Sequence, residues 1–154
     1  MKLEELQYEY KKVTIEKLER GALIETVLTQ EDGLVLVNRL SKPKKLVVIS
    51  VDKENQLIYG ALLVNTEEYY HIEQQSGNKV IQAYWIKQAT YANFLVKDSP
   101  IDCGVVFSLS VNKLLNGTYY GKLTDEDLTN VMQMLEISKT IATKVKKRYG
   151  IRRM

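Results

Sequence analysis

Residues 46–64 read Leu46-Val47-Val48-Ile49-Ser50-Val51, then Asp52-Lys53-Glu54-Asn55-Gln56, then Leu57-Ile58-Tyr59-Gly60-Ala61-Leu62-Leu63-Val64. An apolar, β-branched run, five polar residues and a second apolar run have the lengths of two buried strands joined by a hairpin turn. Gly60 marks a bulge or bend in the returning strand. Upstream, Leu34-Val35-Leu36-Val37 has the same character and follows the turn signal Asp32-Gly33, so it is expected as another strand. Ser41-Lys42-Pro43-Lys44-Lys45 is expected as a loop, because Pro43 has no backbone donor for a central ladder. Ala22 to Leu28 has no clear period and reads as helix or strand. Leu3, Leu6, Tyr10, Val13 and Leu18 fall mostly three or four apart, which predicts an N-terminal helix.

Downstream, Ser76-Gly77-Asn78-Lys79 separates Tyr69-Tyr70-His71-Ile72 from Val80 to Ile86, a second hairpin pattern. Val105 to Leu109 is a further strand candidate, followed by a polar, turn-rich stretch to Gly121. Thr124-Asp125-Glu126-Asp127 offers an N-cap hydroxyl and first-turn acids, and Leu128, Val131, Met132, Leu135, Ile141 and Val145 continue a helix from it. The expected class is α+β: a small, strongly bent sheet or β-barrel of about five to seven strands, with a helix added at each end. As one domain of 154 residues it divides into a helical extension (1–30), a β core (31–123), a C-terminal helix (124–148) and a basic tail (149–154).

Composition removes several chemistries. With 45% hydrophobic and 27% charged residues the chain has the makings of a folded core. One cysteine, Cys103, and one histidine, His71, supply neither an intramolecular disulfide nor a zinc cage, an HExxH pair or a CxxC redox site. The acidic start and the lack of a long apolar run give no signal peptide or membrane span, so a cytoplasmic protein is expected. Gly117-Thr118-Tyr119-Tyr120-Gly121-Lys122-Leu123 is one residue short of a phosphate loop and has Leu123 where a hydroxyl is needed. The net charge of +3 is small, but residues 144–154 hold six basic side chains and no acid. Rings beside basic residues on a curved sheet make a stacking platform for single-stranded bases, and Tyr84, Trp85 and Tyr91 are the candidates; the same rings also suit core packing.

The order of the pieces resembles the MazF/PemK-like toxins. The carriers are Asp32 to Val37, a basic loop, Leu46 to Ser50 and Ala61-Leu62-Leu63-Val64-Asn65-Thr66, and further on Asp102 to Ser110, Lys113-Leu114 and Gly121 to Leu128. The resemblance covers about residues 31–66 and 101–138. It implies an SH3-like barrel, usually a homodimer, that cleaves single-stranded RNA without metal or cofactor and is silenced by a protein or RNA antitoxin. The family pairs an Arg just before its second strand with a Thr or Ser ending the third. Thr66 takes the second role, with Asn65 beside it. Lys44 stands where the Arg would be and Lys45 where its Pro would be, while Lys42-Pro43 matches only after a two-residue shift. Lysine supplies one compact charge where arginine supplies a planar fork. A lysine crowded by other lysines has its charged form disfavoured, which suits proton transfer. Two readings follow: an endoribonuclease using Lys44 or Lys45 with Thr66, and an inactive barrel that binds nucleic acid or protein.

Overall fold

The computed structural model describes residues 2–32, 41–66 and 82–151. The expected strand at 34–37, the run Tyr69-Tyr70-His71-Ile72 and the turn at 76–79 lie outside them. Seven strands form one sheet: β1 (Ala22–Thr29), β2 (Ser41–Val51), β3 (Ile58–Val64), β4 (Ala83–Ile86), β5 (Ser99–Asp102), β6 (Phe107–Ser110) and β7 (Thr118–Lys122). The spatial order is β4-β5-β3-β2-β1-β7, with β6 also on β3. Among the described residues the pairings are antiparallel and do not close the sheet into a ring. Among the described residues four α-helices accompany it: α1 (Leu3–Lys11), α2 (Val111–Leu115), α3 (Asp125–Ile137) and α4 (Thr143–Arg148). The architecture is α+β. Among the described residues no helix is long and apolar enough to cross a membrane.

The central strands are buried on both faces. Leu23, Val47, Leu62 and Val64 face a core shared with Ile86, Tyr91, Phe94, Ile101, Val131, Leu135 and Tyr149. Ile24, Leu46, Val48, Ala61 and Leu63 face a second core with Val13, Leu18, Leu109 and Leu114. A strand covered on both sides reads as a continuous apolar run, which is why Ala22 to Leu28 has no visible period. The β2–β3 hairpin forms as expected, with Leu46 opposite Leu63 and the polar turn at 52–57. Its register shifts between Val48 and Ser50, where Gly60 stands opposite Ser50. A Cβ on Gly60 would lie 2.8 Å from the Tyr149 ring, so the close approach requires glycine.

Four local expectations are corrected. Residues 41–45 are not a loop but the first half of β2, with Pro43 opposite Val27 of β1. Among the described residues the β3 ladder on the other side starts only at Lys45, so the missing Pro43 donor falls where β2 has a described partner on one side. The N-terminal helix stops at Lys11 and is followed by a single 3-10 turn, Ile15–Lys17. The stretch to Gly121 holds α2 and β7 instead of turns alone. The C-terminal helix is two: α3 starts at Thr124, whose hydroxyl accepts from the Asp127 amide as expected, but ends where Ser138 turns extended. The Lys146 ammonium donates to the carbonyls of Glu136 (2.6 Å) and Ser138 (2.7 Å), satisfying groups that a helix end leaves bare.

Candidate functional site

Antiparallel pairing of Lys45 with Val64 brings the start of β2 and the end of β3 to one rim of the sheet. The lysines Lys42, Lys44 and Lys45 therefore stand at the same rim as Asn65 and Thr66, although some twenty positions separate them in sequence. The Asn65 amide donates to the Pro100 carbonyl at 2.8 Å, which carries the β3 alignment one residue past the strand and fixes this corner to β5. Thr66 is exposed and Asn65 half-buried.

Residues directly opposite in an antiparallel ladder share a face, and neighbours along a strand alternate. Lys42 and Lys44 pair with Leu28 and Thr26, on the face of Leu46 and Val48. Lys45 pairs with Glu25 and with Val64, on the opposite face. The two lysines proposed for one role thus look to different sides of the sheet.

Lys44 is half-buried. Burial, then the like charge of Lys42, hold its ammonium below the ordinary lysine value of 10.5. Beside it, the Thr26 hydroxyl donates to the Lys113 carbonyl at 2.9 Å, and the Lys113 ammonium lies 3.3 Å from Asp32. These contacts dock α2 against the rim. The turn after α2 passes so close to β1 that a Cβ on Gly117 would stand 2.6 Å from the Glu25 carbonyl oxygen. On the other face, the Lys45 ammonium sits 5.9 Å from the centre of the Phe94 ring, and Phe94 meets Tyr120 with centroids 5.3 Å apart.

The three ring candidates separate. The Tyr84 hydroxyl donates to Asp127 at 2.6 Å and accepts from the Asn130 amide at 3.1 Å. Tyr91 is buried, donates to the same Asp127 carboxylate, and accepts from the Thr124 amide at 3.0 Å. Burial and then Asp127 push both phenols up. These two rings tie the first turn of α3 to β4 and to the segment after it. Trp85 has its ring on the exposed side of β4, opposite Pro100.

The basic C-terminal run is also partly committed. Lys146 holds the end of α3, and Arg148 lies 3.6 Å from Asp52, while Lys144 and Lys147 are exposed. Cys103 is buried and its thiol is pushed up to about 12 by burial, as suits a small core residue. Among the described residues no group of three or more His, Cys, Asp or Glu gathers to hold a metal. Sequence reading missed Glu25, Phe94 and Tyr120 at this rim, since nothing local distinguishes them until the strands pair. The chain matches no family model, and no curated protein is similar enough to count as a relative.

Proposed function

We propose that this chain is a MazF/PemK-like endoribonuclease that cuts single-stranded RNA without a metal, on an SH3-like arrangement of its bent sheet. The observation that carries the reading is the Lys45–Val64 register, which sets the start of β2 with its lysines beside the end of β3, just before Thr66. In the reaction the 2′-oxygen forms a bond to phosphorus, the bond to the 5′-oxygen breaks, and a proton moves from the first oxygen to the second. The products are a 2′,3′-cyclic phosphate and a free 5′-hydroxyl.

Lys44 is the better proton-transfer group of the two lysines, because burial and Lys42 already weaken its hold on the proton. Lys42 shares its face and adds charge for the phosphate; Thr66, past the last ladder pair and so not bound to the alternation of β3, donates its hydroxyl to a phosphate oxygen, and Asn65 stands beside it. Trp85 is the ring exposed for stacking on a base. In this reading a cognate antitoxin, protein or RNA, covers the rim, the cell compartment is the cytoplasm, and two copies pair.

The test is a long, unstructured RNA incubated with the purified chain in EDTA beside Lys44→Ala, Lys45→Ala and Thr66→Ala, with new 5′ ends mapped. Discrete cuts that Lys44→Ala and Thr66→Ala lose support the reading. Intact RNA with the folded wild type overturns it in favour of a binding module, for which the replacement of the family's Arg by lysine is the supporting feature.

A further inference from the structure

Glu25, Lys45 and Tyr120 form a group that the cleavage chemistry above does not use. Glu25 and Lys45 are direct partners across the β1–β2 ladder and look to the same side. Among the described residues neither side chain has an ion-pair or hydrogen-bond partner, although each is only half-exposed. Opposite charges so placed, without an ion pair among the described residues, can meet complementary groups on a ligand. The Lys45 ammonium lies over Phe94, and Phe94 backs the half-buried ring of Tyr120. The carboxylate of Glu25 also acts on the Tyr120 phenol, which burial first and Glu25 second push up, so these two side chains are neighbours.

We infer that this face of the rim reads a guanine next to the cut: Glu25 accepts from guanine N1–H and N2–H, Lys45 donates to O6, and the Tyr120 ring, backed by Phe94, stacks on the base. The inference rests on the endoribonuclease reading. Guanine is the base that offers two adjacent donors beside one acceptor on a single edge. Adenine and cytosine offer one amino donor next to a ring acceptor, and uracil offers one donor between two acceptors. Two carboxylate oxygens and one ammonium therefore match guanine most fully. The assignment also divides the lysines by face, with Lys44 serving the phosphate and Lys45 the base.

The experiment measures binding of short RNAs whose 2′-hydroxyls are replaced by hydrogen, so that no cut occurs. One position holds guanine, inosine or adenine, and affinity is read by fluorescence anisotropy. Inosine keeps N1–H and O6 but lacks the 2-amino group. Guanine is expected to bind about tenfold tighter than inosine to the wild type. That ratio should fall toward one in Glu25→Gln, while Lys45→Met weakens both ligands together and keeps the ratio. Equal binding of guanine and inosine by the wild type overturns the guanine assignment, whether or not the variants fold. Cleavage of long RNA without guanine beside the cut overturns it too, and leaves the nuclease reading standing. No binding of any RNA and no cleavage remove both.

Discussion

The two ends of the β2–β3 hairpin are built on opposite terms. At the turn end Arg20, Asp52 and Arg148 each have a partner. Arg20 donates to the Ile49 carbonyl at 2.9 Å and to that of Tyr149 at 3.2 Å, Asp52 accepts from the Glu54 amide at 2.8 Å, and Arg148 lies near Asp52. Tyr149 is fully buried, its ring against Gly60 and its hydroxyl 2.6 Å from that of Ser108. At the rim, 42–45 places three lysines in four residues, one of them half-buried beside a like charge. The turn end is arranged for stability and the rim carries groups that cost stability, which is the pattern expected where a site is kept for a ligand.

The contrast can be broken most forcefully at Tyr149. Tyr149→Ala should lose about 3–5 kcal/mol in urea unfolding, as a large buried ring leaves a cavity. A loss under 1 kcal/mol would mean that the C-terminal segment is an ornament. Lys44→Ala should do the reverse: cleavage falls about a hundredfold, equivalent to ~2.7 kcal/mol, with little change in the unfolding midpoint. Gly60→Ala comes next, at about 1–3 kcal/mol, since the new methyl must displace the Tyr149 ring. The smallest effects sharpen the rim itself. If Lys44 acts protonated, kcat/KM should decline with rising pH about a midpoint below 10.5, and Lys42→Ala should move that midpoint upward. For stability the sign is fixed by linkage. Between its depressed value and 10.5 the unfolded chain binds the extra proton, so stability rises with pH across that window, and below it the penalty is complete. Lys44→Met should therefore stabilise the fold at neutral pH, by only ~0.3 kcal/mol because water still screens the side chain.

Much of the turn end was legible from local chemistry. The apolar runs flanking 52–56 and the Thr124 cap each carry their own signal, and the structure forms both. Gly60 was read as a bend, and a bulge does stand opposite it, but the Tyr149 ring that demands glycine there comes from a distant segment. The rim was legible only as a list. The sequence names Lys42, Lys44, Lys45 and Thr66 as candidates, yet a loop at 41–45 hides the alternation that sends Lys44 and Lys45 to opposite faces. Pro43 misleads because its rule concerns central ladders, and among the described residues this half of β2 has one neighbour. β5 went unread, since Ser99-Pro100-Ile101-Asp102 is short and polar at both ends. Tyr84 and Tyr91 stand out in the sequence as rings for stacking, and nothing local there tells that Asp127 holds both phenols.

The Tyr149 plug also sets an order of events during synthesis. β1, β2 and β3 are complete in the chain long before the residue that seals the face over Gly60 is made. At roughly 5–20 residues per second the interval is on the order of ten seconds. Through that time Leu62 and Val64 lack the partners α3 and Tyr149 will supply, so the nascent sheet presents an apolar surface to the ribosome exit region. A chain that stops before Tyr149 leaves Gly60 and the apolar side chains of β3 without that cover, so the residue just after α4 completes this face of the sheet.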